Sequence, residues 1–106
     1  AEIGRVKLAT QLLRQVADRE ELAVRISQVD VENPRDAVVL LNGDPAFIHL
    51  GNERFVERLE TYLDLASTLR VHVPKIDYVD LRFDRRVYVR PVGDALLYEE
   101  DADRRH

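Results

Sequence analysis

Length, composition and charge limit what this chain can be. Its 106 residues suffice for one domain but not for two independent cores, and 45% hydrophobic residues with only four Gly and four Pro are typical of a folded protein. The net charge of −4 argues against a nucleic-acid binder, and the absence of Cys excludes disulfides, thiol nucleophiles and thiolate metal sites.

The first two predicted elements are a helix and a strand. Residues 3–18 carry apolar side chains at three- and four-residue spacings, which predicts an amphipathic helix. From Ala23 to Glu32 the β-branched content rises, and the alternation changes phase near Ser27 and Gln28, as it does at a β-bulge. We therefore expect a first strand that contains a bulge.

Two short strands are predicted next, at Ala37–Leu41 and Ala46–Leu50. Turn residues at 33–36 precede them, and Asn42-Gly43-Asp44-Pro45 separates them. Because Asn and Gly accept the positive φ that tight hairpins require, the two strands should pair with each other.

A long helix and two further strands complete the pattern. Gly51 frees the backbone, Asn52 is a good N-cap, and apolar residues then repeat at helical spacing as far as Arg70. Alternation predicts a fourth strand that ends near Phe83 and a fifth over residues 86–90.

Together these elements predict an α+β fold with a largely antiparallel sheet of about five strands and two helices packed on one face. We assign residues 1–91 to this domain. The acidic segment 92–106 is expected to be a loosely held tail.

Catalytic and metal-binding chemistry has little support in the sequence. The three histidines, His49, His72 and His106, are far apart and lack metal-ligand spacing. The serines have no nucleophile motif, and the carboxylates around the 33–36 turn are interpreted as solvated charges: Asp30, Glu32 and Asp36. We predict no enzyme activity, no cofactor and no metal; a hydrolase would need His49, His72 and a carboxylate to converge.

The last predicted hairpin stands out by its charge. Arg82, Arg85, Arg86 and Arg90 face a single acidic residue there, Asp84, in an otherwise acidic chain. Charged side chains protect an exposed edge strand from aggregation. The same unpaired edge is also a template for an incoming strand, with the arginines selecting an acidic partner. The residues alone leave both interpretations open.

The same hairpin carries a resemblance to a known family. Residues 78–91, with the core Val79-Asp80-Leu81-Arg82 followed by Phe83, resemble the closing signature of the FtsQ/DivIB family of bacterial cell-division proteins. His49-Leu50-Gly51 leading into the long helix resembles a second passage of that family, and the resemblance covers Val24–Pro91. It implies the extracytoplasmic β domain of a longer, membrane-anchored protein, which agrees with a chain that starts at Ala1 and contains no Met.

The resemblance also implies a function. Family members are non-enzymatic scaffolds of the bacterial inner membrane that join FtsB/DivIC and FtsL at the division septum and help bring septal peptidoglycan synthesis there. The partner is held by strand addition along the last strand of this domain. The residues that match the partner contacts are Arg82 and Phe83, and those that match the pairing strand are Arg85, Arg86, Val87, Tyr88 and Val89. The chain departs from the family in carrying Arg85-Arg86 where relatives often have a small turn.

Strand addition requires the closing strand to have one side without a neighbour in its own sheet. Weak self-association through that edge or the tail would follow from the same property. Two alternatives remain: a small-ligand or regulatory domain with a cleft near Tyr62, and a tail segment Ala95–Glu100 that lies along an edge of its own or a neighbouring domain in the partner's place.

Overall fold

Three helices and six strands make up the part of the chain that this computed structural model describes, residues 2–93 and 96–103. The helices are α1 (Glu2–Ala17), the short α2 (Glu20–Ala23) and α3 (Phe55–His72). The strands are β1 (Ile26–Asp30), β2 (Ala37–Leu41), β3 (Phe47–Gly51), β4 (Ile76–Asp80), β5 (Arg86–Pro91) and β6 (Tyr98–Asp101). Within these ranges, no helix has the length and apolar content needed to cross a lipid bilayer.

The six strands form one sheet in the order in which they occur along the chain. β3 and β4 are parallel, since α3 carries the chain from the end of one strand back to the start of the other. The other neighbouring strands are antiparallel. This confirms the α+β fold and adds a sixth strand, β6, that the sequence pattern did not predict.

The two long helices cover one face of the sheet. Alternate residues of each strand point toward them, and these side chains form one core with the helical stripes. Burying a Leu, Val or Ile side chain of this kind contributes about 1.5–3 kcal/mol. The fully or almost fully buried members include Leu8, Leu12, Val39, Ile48, Leu50, Phe55, Leu59, Tyr62, Leu65, Leu69, Val79, Val87 and Val89.

The opposite face of the sheet has no helix among the described residues. Register places Phe47, His49, Tyr78, Tyr88 and Arg90 there. The His49 and Tyr78 rings meet edge to face at 5.1 Å, and the Arg90 guanidinium lies 5.8 Å from the Tyr78 ring centre. This face is aromatic and polar rather than aliphatic.

Two local predictions are confirmed at the start of the sheet. The register of β1 against β2 shifts between Ile26 and Gln28, which is the predicted bulge. Gly43 adopts a φ of 75° in the turn between β2 and β3, as the Asn-Gly sequence required.

Three element boundaries differ from the predicted ones. Residues 20–23 form the helical turn α2, so the first strand starts only at Ile26. The helix α3 is preceded by Arg54 in the left-handed region with φ 54°, and Asn52 does not cap it. β4 ends at Asp80, before Phe83, because the Asp80 carboxylate accepts the backbone N–H of Arg82 at 3.0 Å and turns the chain out of the ladder.

Candidate partner-binding edge

The expectation that β5 has a free side is wrong for this chain. β5 pairs with β4 on one side and with β6 on the other. The second neighbour comes from the segment expected to be a loose tail, so the boundary proposed at residue 91 separates two strands of one ladder. The edge of the sheet on this side is β6. Of the alternative segment Ala95–Glu100, Ala95 lies outside the described residues, and Tyr98–Glu100 indeed run along the domain's own edge.

The predicted pairing residues are divided between the two faces of the sheet. Val87 and Val89 point into the core and are 1% and 0% exposed, so their side chains are unavailable to any partner. Arg86 and Tyr88 alternate with them and lie on the face without helices. In this structure β5 therefore exposes one row of side chains, while its backbone is paired on both sides.

Arg82 is held by its own chain. Its Nε and Nη2 atoms donate to the two carboxylate oxygens of Asp80 at 2.9 and 2.7 Å, a bidentate arrangement. The hydrogen bonds to Asp80 raise the pKa of Arg82 above its ordinary value. Arg82 thus fixes the connection between β4 and β5, and with it the position of Phe83.

Asp36 is buried and lies at the centre of a polar cluster that includes Arg82. Its carboxylate accepts a hydrogen bond from the Gly51 N–H at 3.0 Å, its Oδ2 lies 2.7 Å from His49 Nδ1, and Arg82 Nη1 is 3.6 Å away. Burial acts to raise the pKa of Asp36, but the hydrogen bonds from His49 and Gly51, together with the Arg82 charge, lower it below its ordinary value. Asp36 is therefore structural and not the solvated charge expected from its turn.

Arg58 joins α3 to this cluster. Only 8% exposed, it donates from Nη1 to the Leu50 carbonyl at 2.7 Å and from Nη2 to the Arg82 carbonyl at 3.3 Å. Gly51 makes room for it: φ is +74°, and a Cβ there would lie 2.6 Å from Arg58 Nη1 and 3.1 Å from Arg82 Cγ. Arg58 was not predicted as a site residue, although an Arg three residues after Phe55 interrupts the apolar stripe of the helix and could have indicated a buried polar contact.

Phe83 is the exposed aromatic residue of this region. Its ring is 51% exposed and meets the Tyr88 ring edge to face at 5.1 Å. The next residue, Asp84, accepts a hydrogen bond from Arg54 at 2.6 Å, which ties the turn to the start of α3. Beside Phe83 lies a cleft of about 110 Å³ whose lining includes Arg54, Thr61, Val87 and Ala102.

β6 and the residue that follows it cover this region with three side chains that face the helices. Tyr98 stacks on His72 of α3, with ring centres 4.9 Å apart, and its hydroxyl donates to Glu100 at 2.9 Å. Glu100 itself is 4% exposed, and Ala102 is buried beside the cleft. A carboxylate in the middle of this row makes β6 an unusual edge strand, since charges are seldom buried.

The other candidate sites do not assemble. His49 is paired with Asp36, whereas His72 is stacked on Tyr98; His106 lies outside the described residues. No cluster of metal-ligating side chains occurs within residues 2–93 and 96–103. Tyr62, near which a ligand cleft was considered, is fully buried, and its hydroxyl donates to Asp44.

Comparison with known proteins adds the family. Residues 3–82 match the model of the cell division protein FtsQ/DivIB C-terminal domain. The chain is also 33% identical over 91 residues to the cell division protein FtsQ of Koribacter versatilis (strain Ellin345), a match that covers 83% of this chain and 26% of that protein. The chain thus spans about a quarter of the relative's length, and the family match ends at Arg82, before β5. With most of its length matched, this chain belongs to the FtsQ/DivIB family of cell-division proteins.

Proposed function

We propose that this domain is a non-enzymatic scaffold of the bacterial division machinery that binds an FtsB/DivIC-like protein, and with it an FtsL-like protein, by strand addition at the β5–β6 end of its sheet. In this proposal the full-length protein is anchored in the inner membrane, and the domain lies on its periplasmic side at the septum. Its binding links assembly of the complex to septal peptidoglycan synthesis.

The observation that supports the site is the half-exposed Phe83 next to a terminal strand. A partner strand would gain about 0.5–1.5 kcal/mol net per backbone hydrogen bond, which does not by itself offset the entropy of association. Aromatic side chains supply most of the remaining affinity in many interfaces. Phe83 and the adjacent Tyr88 ring are such anchors, and they lie in contact with each other.

The proposed contact residues have separate roles. Arg85 and Arg86 are exposed and give this end of the sheet a positive charge that favours an acidic partner segment. Val87 and Val89 contribute only their backbone, because their side chains are in the core. Arg82 positions Phe83 through Asp80. The outer side of β6 also offers a route to weak self-association.

The test is binding to the extracytoplasmic part of the FtsB-like protein from the same organism, measured by titration calorimetry. Phe83→Ala should weaken binding at least about tenfold, because truncating an aromatic anchor commonly costs about 2 kcal/mol or more. Phe47→Ala is the matched control, since Phe47 is 46% exposed on β3, away from the proposed edge.

Both variants should keep the melting temperature of the parent chain within a few degrees, because neither ring is buried. Equal affinities for the Phe83→Ala and Phe47→Ala proteins would reject the assignment of the site. No measurable affinity for the unaltered chain or for any of its variants would reject this partner altogether.

A further inference from the structure

The outer side of β5 is already occupied by the chain itself. Arg86, Val87, Tyr88 and Val89 lie opposite Asp101, Glu100, Glu99 and Tyr98. The pairing continues one step further, where the Ala102 N–H donates to the Arg85 carbonyl at 3.1 Å. These are the same residues, Arg85 to Val89, that the proposed partner strand would need. Two strands cannot use this side of β5 at once.

The segment that occupies β5 has the chemistry expected of a partner. Its exposed residues Glu99 and Asp101 are acidic and lie opposite Tyr88 and Arg86, while Arg85 and Arg86 make this end of the sheet positive. Opposite charges on directly facing residues of neighbouring strands stabilise the pairing.

The helix-facing side of the same segment is equally specific. Tyr98 stacks on His72, Glu100 is buried opposite Val87, and Ala102 lies against the cleft beside Phe83. An aromatic, a carboxylate and a small residue thus alternate along one row, and the space between β5 and α3 fits that row.

We propose that Tyr98–Asp101 is an internal occupant of the partner site, and that a partner binds β5 by displacing it. The inference rests on the proposed function. It also specifies the partner segment: an extended acidic strand, antiparallel to β5, with an aromatic residue two positions before a carboxylate and a small residue two positions after it.

Displacement is energetically feasible because it exchanges one set of backbone hydrogen bonds for another. The side chains therefore decide whether β6 or the partner strand occupies β5. The affinity measured for a partner equals its intrinsic affinity multiplied by the fraction of molecules in which β6 is open. Any change that loosens β6 should strengthen partner binding, and any change that fixes it should prevent binding.

A disulfide can fix β6 in place. Because Arg85 and Ala102 exchange a backbone hydrogen bond, the next pair, Arg86 and Asp101, is a non-hydrogen-bonded pair with Cα atoms about 4.5 Å apart, which suits a disulfide. Both side chains are exposed, and the chain has no Cys of its own. The oxidised form of the double variant Arg86→Cys, Asp101→Cys can thus be compared with its own reduced form as the control.

The probe is again the extracytoplasmic part of the FtsB-like protein. Oxidation of the double variant should weaken binding at least about tenfold relative to its reduced form, since a locked strand leaves no open fraction. Tyr98→Ala, which removes the stack on His72, should strengthen binding about threefold or more by raising that fraction. If β6 only completes the fold and is not displaced, Tyr98→Ala should instead weaken binding of the FtsB-like protein.

The outcomes separate this inference from the proposed function. Equal binding by the oxidised and reduced forms would overturn displacement while leaving the partner and Phe83 in place. Tighter binding by the oxidised form would also overturn it, because the partner would then add to the outer side of β6. Failure of every form to bind would overturn the proposed function itself. The melting temperature of the oxidised form confirms that it is folded.

Discussion

The two edges of the sheet are built differently. At one edge, β1 contributes the aliphatic residues Ile26 and Val29 to the core. Asn42 fixes the chain before it by donating to the carbonyls of Val24 and Arg25 at 2.9 and 2.8 Å. At the other edge, β6 contributes the aromatic ring of Tyr98 and the buried carboxylate of Glu100, and Ala102, the residue after the strand, contributes a methyl group.

The difference concerns how easily each edge opens. Aliphatic burial stabilises β1, whereas the buried carboxylate of β6 needs hydrogen bonds, such as the one from the Tyr98 hydroxyl, to offset its loss of hydration. β6 should therefore detach in a local step, while β1 unfolds with the core. An edge that opens locally is suited to exchange strands with a partner.

The largest expected effect on stability comes from the polar cluster around Gly51, Arg58 and Arg82, which positions Phe83 near β6. Gly51→Ala should lower the free energy of unfolding by about 2–5 kcal/mol, since an L-residue at positive φ costs about 1–2 kcal/mol and the new Cβ would displace Arg58 and Arg82 at about 1–3 kcal/mol more. Gly43→Ala is the control: φ is +75° there but no atom lies within 4 Å of the new Cβ, so only the first cost of about 1–2 kcal/mol applies.

Urea denaturation of the two alanine variants measures this difference. If both substitutions lowered the free energy of unfolding by a similar amount, the surroundings of Gly51 would not be tightly packed. Partner binding should fall for Gly51→Ala alone, because only that substitution moves Arg82.

A second prediction concerns pH. The pKa of Asp36 is lower in the folded protein than its ordinary value of 3.8, so the stability that its ionised form contributes is fully present above that value and is lost as the pH falls through the folded value. Asp36→Asn should cost about 1–3 kcal/mol at pH 7 by breaking this network. The cost should shrink as the pH falls below 3.8, because the carboxyl is then protonated first in the unfolded chain and, at a lower pH, in the folded parent as well. A cost independent of pH would contradict the account.

The smallest expected effect compares the two edges directly. Ile26→Ala should lower the global free energy of unfolding by about 1–2 kcal/mol, less than a fully buried site because Ile26 is only partly buried. Tyr98→Ala should lower the value from the urea transition of α3 by less than about 0.5 kcal/mol, because β6 is already open at the urea concentrations where the core unfolds. If Ile26→Ala and Tyr98→Ala lowered the free energy of unfolding by comparable amounts, both edges would unfold together with the core.

The fold could be read from the sequence wherever local pattern and burial agree. The helical stripes of α1 and α3, the bulge in β1 and the Asn42-Gly43 turn all follow from side-chain spacing and backbone preference. β6 could not be read in this way, since Tyr98-Glu99-Glu100-Asp101 is an acidic run with low β-propensity that forms a strand only because β5 offers it unpaired backbone groups.

The residues proposed for the site share one end of the sheet but not one face. Arg82, Phe83 and Tyr88 meet at one end of the sheet, but Val87 and Val89 face the core, because alternation fixes which residues share a face and not which face is covered. Asp36 was interpreted as a solvated turn residue. Its burial depends on Gly51 and His49, which come close only in the folded sheet.

Amide hydrogen exchange with and without the FtsB-like protein tests the central claim most directly. The account predicts that binding changes protection in β5 and in the turn that carries Phe83, and that the β6 amides lose protection as the partner replaces them, while β1 and β2 stay unchanged. Changes confined to the β1 edge or to the face around Phe47 would contradict it.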